Sequence, residues 1–193
     1  IGTGLLCLPQ SNTAGGITPF MDALFTATSA ITVTGLTVEV TATYWSGFGK
    51  IIILLLMFIG GLGIMTTGAF LLVLIGRRVS IFQRQLIKES ISILPVNEVG
   101  GVVQLVIRIV LISISVQTIG FVVYLIKLLT EMDLKNAIPH ALFLSVSAFN
   151  NAGFTAFVNS DSVSAYQQDI TIIITTTILI LIGAVSVWVV ADV

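Results

Sequence analysis

The sequence predicts an all-α membrane protein built from parallel helix–re-entrant segment–helix repeats. Three observations predict it. Residues are 56% hydrophobic and only 9% charged, whereas a soluble domain carries about a quarter charged residues. Apolar runs recur at about twenty residues, the length that crosses a bilayer. A polar, glycine-centred stretch occurs twice, as SAITVTGLT at Ser29 to Thr37 and as SAFNNAGFT at Ser147 to Thr155. The net charge of −1 offers no basic field to nucleic acid. The lone Cys7 has no CxxC or Cys/His cluster beside it, so it reads as a small packing residue.

Taken in order, Ile1 to Leu8 (IGTGLLCL) is apolar but too short to span, and reads as the tail of a helix. With no initiator Met, no basic leader and a stop at ADV, the chain reads as a piece of a larger transporter-like protein. Pro19 to Ile31 (PFMDALFTATSAI) opens on a proline, which suits a first helical turn because its missing N–H is not needed there. At roughly twelve residues this helix reaches about half way through a membrane. It runs straight into the first polar stretch. Ile51 to Ile75, bracketed by Lys50 and Arg77, is the first full span. Ile109 to Leu129, between Arg108 and the nearby Lys127, is the second. Ile138 to Phe149 (IPHALFLSVSAF) is a second half-helix at a proline, and it enters the second polar stretch. Ile170 to Ala191, bracketed by Asp169 and Asp192, is the third span.

Basic residues orient these elements. The link from Gly76 to Glu98 holds Arg77, Arg78, Arg84 and Lys88, while Pro9 to Gly49 holds no Lys or Arg and Thr130 to Asp169 holds Lys135 alone. The link is therefore expected in the cytoplasm, and both half-helices dip in from outside. Laying ALFTATSAITVTGLT over ALFLSVSAFNNAGFT matches Ala, Leu, Phe, Ser, Ala, Gly and Thr. Both copies have one orientation, so the repeat is parallel, about an axis along the membrane normal. The expected organisation is a first repeat over 1–75, a cytoplasmic basic link over 76–98 and a second repeat over 99–193.

Irregular backbone at membrane depth is tolerated only in protein or facing water. Two such loops at one depth are best satisfied by sharing a wet axis. Gly35 and Gly153 permit positive φ or close approach, and carbonyls before them can face inward as in a cation filter. The half-helices would aim their partly negative C-terminal ends at the same place. Neither loop carries a charge, which favours a weakly hydrated monovalent cation. For either glycine taken alone, a turn or close helix packing is the competing reading.

Other residues read more plainly. Arg108 and Lys127 are boundary residues that snorkel, rather than buried functional charges. Gly60, Gly61, Gly63 and Gly68 suit close packing against a pore loop, with a hinge as the alternative. Arg84 and Lys88 share a helix face and read as a positive-inside signal, with anionic lipid or a cytosolic partner as the alternative. His140, the only histidine, lacks companions for a metal site and reads as a surface residue. Asp22 and Glu39 are candidates for a cation-attracting outer vestibule, or simple loop charges.

The segments TATSAITVTGLTV, SVSAFNNAGF, IGGLGIMTTGAF and GTGLLCLPQSN resemble the Trk/Ktr/HKT superfamily of potassium transporters. The likeness is greatest to the bacterial Ktr-type membrane subunit, and it covers nearly the whole chain. It implies a potassium-channel-like fold of helix–pore-loop–helix repeats, four to a chain, around a central pore. It places the filter glycines on Gly35 and Gly153, and the filter carbonyls on Thr32, Val33, Thr34, Asn150, Asn151 and Ala152. It implies potassium as substrate with sodium as the activating ion, and a multi-pass protein in the lipid bilayer of the plasma membrane. It further implies a homodimer on a cytosolic RCK-type nucleotide-binding ring, with no covalent cofactor and no enzyme activity.

The chain departs from that pattern in four ways. It holds two of the four repeats, and the family's gating loop belongs to the third. Gln117 in SVQTIGF stands where an acidic residue is expected. The final GAVSVWVVADV has little of the glycine-rich pattern of IGGLGIM. Competing classes are a broken-helix sodium-coupled solute carrier, whose repeats are often inverted, and a non-selective cation channel. An intramembrane hydrolase has no GxSxG and only an outer-edge histidine to draw on. A structural scaffold leaves the duplicated loops without a purpose.

Overall fold

The computed structural model describes residues 1–63, 101–156, 166 and 168–184, with 101–106 described by backbone alone. Among these residues every regular element is helical, and one isolated bridge joins Asn12 to Trp45. The all-α class expected from composition is therefore observed.

Helix α1 (Gly2–Leu6) and a single 3-10 turn (Pro9–Ser11) lead to α2 (Phe20–Ile31). Pro19 takes the N-cap position of α2, and the helix has the twelve residues expected of a half-helix. A short α3 (Thr41–Tyr44) follows, then α4 (Gly47–Gly61). Ser46 caps α4 by accepting from the Gly49 N–H at 3.2 Å, satisfying one of the free donors of a helix start.

The span expected at Ile51 to Ile75 is corrected at both ends. The helix begins at Gly47 and closes at Gly61, where Gly63 takes a φ of 82°. A left-handed residue just past the end is how glycine stops a helix. The 15 residues of α4 extend about 22 Å, short of a hydrocarbon core of about 30 Å. Residues 64–75, with Gly68, and the basic link with Arg77, Arg78, Arg84 and Lys88 lie outside the described residues.

Helix α5 (Gly101–Leu128) is 28 residues long and starts eight positions before the expected Ile109. Arg108 therefore sits inside the helix and not ahead of it. Within α5, Ile107–Leu128 is long and apolar enough to cross a membrane, the one such stretch among the described residues. Helix α6 (Leu134–Phe149) follows Asp133 and runs 16 residues, with Pro139 inside it. This overturns the expectation of a twelve-residue helix opening at Pro139. Asp133 starts the helix earlier, its carbonyl accepting from the N–H groups of Asn136 at 3.0 Å and Ala137 at 2.9 Å. Pro139 then removes one backbone bond. The added turn offsets that loss by burying Ala137 completely among Tyr124, Leu128 and Ala141. Helix α7 (Ile170–Ala184) begins at the residue expected, and 185–193 lie outside the described residues.

Among the described residues two large apolar clusters hold these helices, and a small third one packs Leu62 against Ile109 and Val110. One gathers Leu6, Ala23, Ala27 and Ala30 with Trp45, Ile53 and Met57, and takes in Phe143 and Val146 from α6. The other joins α5, α6 and α7 through Tyr124, Leu128, Leu144, Phe149, Ile172 and Leu179. Helix α6 contributes to both, so it lies at the junction of the two halves. Small residues bring backbones together. A Cβ on Gly60 would strike the Ile31 carbonyl, and one on Gly61 would strike the Asn150 side chain. Close approach of this kind is what small residues allow between membrane helices, and it is the packing role expected for the Gly60–Gly61 pair.

Candidate ion-binding site

The two glycine-centred segments have the same backbone course. Thr32 and Asn150 end their helices with φ of −87° and −82°. Val33 and Asn151 then take φ of 57° and 58°, and Gly35 and Gly153 take 71° and 73°. The hydrogen bonds repeat as well. Thr34 N–H donates to Ser29 O at 3.0 Å, and Ala152 N–H donates to Ser147 O at 2.8 Å. Val33 N–H reaches Ala30 O at 3.3 Å, and Asn151 N–H reaches Ala148 O at 3.1 Å. The positive φ at both glycines agrees with the sequence. Left-handed Val33 was not legible there, because a β-branched residue rarely adopts that conformation.

Side chains distinguish the copies. In the first, Thr34 Oγ1 lies 3.1 Å from Ser29 Oγ, and Thr32 Oγ1 donates to Thr28 O at 2.7 Å. In the second, alanine replaces Thr34, and Ser147 Oγ turns to donate to Phe154 O at 2.6 Å. Asn150 Nδ2 donates to Val146 O at 2.8 Å, while its buried Oδ1 has no partner among the described residues.

The segments meet. A Cβ on Gly35 would collide with the Ala152 carbonyl oxygen and come within 3.3 Å of Gly153 Cα. Around Gly153 there is more room, with Gly35 Cα the nearest atom at 3.8 Å. None of the carbonyls of Thr32, Val33, Thr34, Asn150, Asn151 and Ala152 accepts a hydrogen bond from the protein among the described residues.

Gly183 is the residue that sequence reasoning missed. A Cβ there would strike the Phe149 carbonyl, as one on Gly60 would strike that of Ile31. Ile31 and Phe149 occupy equivalent places before the two loops, so Gly183 is the second-half counterpart of Gly60. The signal was present as LIGA after an apolar run, set against FIGG.

The remaining candidates lie around this centre. Glu39 lines a recess that also touches Gly35 and Gly153, whereas Asp22 lies in the first turn of α2 and does not line it. Gln117 is buried, its backbone carbonyl accepts from Ser145 Oγ at 2.6 Å, and its Nε2 has no partner among the described residues. Lys127 pairs with Asp169 at 2.7 Å and Glu131 at 3.3 Å, so it clasps the end of α5 to the start of α7. The hydrogen bond from Lys127 holds the Asp169 carboxyl below its ordinary range. His140 is half-buried rather than on the surface.

A family whose description is TrkH, cation transport protein, matches residues 6–193. This chain belongs to the TrkH family of cation transport proteins. It is 37% identical to Ktr system potassium uptake protein B of Bacillus subtilis, over the whole of this chain and 42% of that protein. It is 40% identical to Ktr system potassium uptake protein B of Vibrio alginolyticus, over 98% of this chain and 40% of that one. It is 36% identical to the potassium/sodium uptake protein NtpJ of Enterococcus hirae, over 97% of this chain and 41% of that one. The resemblance to Trk- and Ktr-type transporters is thus shown across the chain, which spans about two fifths of the length of these relatives.

Proposed function

We propose that this chain forms two adjacent helix–pore-loop–helix repeats of a potassium-uptake protein of the plasma membrane. In this reading 1–75 and 99–193 are the repeats, and 76–98 is the cytoplasmic link. Potassium is the substrate, stripped of water by the carbonyls of Thr32, Val33, Thr34, Asn150, Asn151 and Ala152. Gly35 and Gly153 supply the turn. The observation that carries the reading is that these six carbonyls accept no protein hydrogen bond among the described residues, in two segments of matching course that touch at Gly35 and Ala152.

Backbone carbonyls inside a membrane need a partner, and a bare alkali ion is one. Positive φ at alternate residues rotates every second peptide plane relative to a strand, so successive carbonyls can share one side. The named relatives are potassium uptake proteins, one of them potassium/sodium, which supports potassium as cargo; sodium as the activating ion rests on the Ktr likeness alone. A homodimer on a cytosolic RCK-type ring belongs to the same reading through the Ktr likeness.

The test is rubidium-86 flux in proteoliposomes carrying the full-length protein. Gly153→Asp is the cleaner variant, because a Cβ there meets nothing closer than Gly35 Cα at 3.8 Å, whereas one on Gly35 meets a carbonyl. It is expected to reduce potassium-over-sodium preference at least tenfold, since an extra charge at the filter replaces selection by backbone dipoles. Unchanged preference in a folded Gly153→Asp protein would remove the filter assignment.

A further inference from the structure

Ser147 lies in the last turn of α6, and its two oxygens grip the second loop on both sides of Gly153. Its backbone carbonyl accepts from the Ala152 N–H at 2.8 Å, one residue before the glycine. Its hydroxyl donates to the Phe154 carbonyl at 2.6 Å, one residue after it. Ser147 is 2% exposed and Phe154 is 1% exposed, so little water competes for either bond. The grip has a fixed support. Every residue of α6 from Phe143 to Phe149 is buried, and Ser145 Oγ donates to the Gln117 carbonyl of α5 at 2.6 Å. Phe154 itself belongs to the cluster that holds Ala152, Phe143 and Val146.

The first loop is held differently. In the repeat Ser29 corresponds to Ser147, Thr34 to Ala152 and Leu36 to Phe154. The Ser29 carbonyl accepts from the Thr34 N–H at 3.0 Å, as in the second loop. The Ser29 hydroxyl, however, lies 3.1 Å from Thr34 Oγ1 and so binds the same residue again. No hydrogen bond reaches the Leu36 carbonyl among the described residues, and Leu36 is 61% exposed. One loop is thus clamped before and after its glycine, and the other before it alone. We propose that Ser147 is a positioning residue for ion discrimination, whose hydroxyl fixes the peptide after Gly153 and with it the direction of the second loop's carbonyls. Ser29 does not perform this task in the first loop. The proposal rests on the filter reading above, and it adds a side chain outside the six carbonyls and two glycines. Without the Ser147 hydroxyl the buried Phe154 carbonyl loses its partner, which is costly, and its peptide is free to turn. Gly153 has no Cβ to resist that rotation and passes it to Ala152. Selection by carbonyls depends on how many face the ion and how they are arranged, so their support decides how well they discriminate.

The experiment measures rubidium-86 uptake competed by potassium or by sodium, in proteoliposomes carrying the full-length protein, beside thermal unfolding in detergent. Ser147→Ala is expected to lower potassium-over-sodium preference about fivefold, the scale of one buried hydrogen bond. Ser147→Thr keeps a hydroxyl and is expected to stay within about twofold of the unmodified protein. Ser29→Ala is expected to change preference less than Ser147→Ala, because Thr34 Oγ1 still has the Ser29 carbonyl at 3.4 Å. Should Ser147→Ala not fold, Ser147→Cys, a weak donor, takes its place with the same expectation. Unchanged preference in the folded variant would overturn the proposal, and a lowered melting temperature alone would mark a packing role. Equal losses in Ser147→Ala and Ser29→Ala would also overturn it, since the bond to Phe154 would then not be what distinguishes the loops. So would equal losses in Ser147→Ala and Ser147→Thr. Failure of the unmodified protein to prefer potassium is a different result, and refutes the filter reading itself.

Discussion

At the scale of single residues, the two loop glycines are alike in dihedral angle and unlike in surroundings. Both lie in the left-handed region, where an L-residue costs about 1–2 kcal/mol. A Cβ on Gly35 also meets the Ala152 carbonyl, while one on Gly153 meets nothing closer than 3.8 Å. Gly153→Ala should therefore lose about 1–2 kcal/mol, and Gly35→Ala distinctly more, because backbone of the neighbouring loop must move. Thermal unfolding in detergent checks the order, and equal losses would mean that the loops do not touch. The sequence identified both glycines from their place in a repeat. It could not rank them, since the difference lies in which loop approaches which.

At the scale of elements, the ends of the helices carry the information. Asp169 begins α7 by accepting from the N–H groups of Thr171 at 3.0 Å and Ile172 at 3.2 Å. Its other oxygen binds Lys127 near the end of α5. The carboxyl is held below its ordinary range, by Lys127 first. Stability from a depressed carboxyl is present above the unfolded value near 3.9 and is lost as pH falls through the folded value. Asp169→Asn keeps an oxygen for the cap but loses the ion pair. It should melt below the unmodified protein at pH 7, and the gap should close below about pH 4. A gap independent of pH would place the effect in the cap alone. Elements were legible where periodicity and punctuation agreed, as at Phe20–Ile31. They were misjudged at Leu134, where burial of Ala137 outweighs the bond lost at Pro139, and at Gly61, where one apolar run is divided by a glycine stop.

At the scale of the whole molecule, equivalent positions have different neighbours. Phe25 and Phe143 match in the repeat, yet Phe25 is 42% exposed and Phe143 is 3% exposed. Phe143 faces the cluster built around α2 and α4, whereas the corresponding side of α2 has no such cover among the described residues. The proposed ring of repeats predicts that another repeat packs there. Phe143→Ala should cost about 3 kcal/mol, and Phe25→Ala should cost a similar amount in the full-length protein. A nearly neutral Phe25→Ala, measured by denaturant or heat, would mean that no protein covers that face of α2.

The sequence by itself determined the class, the places of both glycine loops and the small residues that let α4 approach them. Composition, period and duplication are properties of the linear chain, and they are enough for that. Only the tertiary structure decided that Gly35 meets Ala152, that Gly183 repeats the role of Gly60, and that Glu39 lines a recess beside both loop glycines. Each of these depends on which backbone atoms lie within a few ångströms of one another across the fold. Close approach between distant segments follows from packing all the helices together, and no local pattern of residues records it.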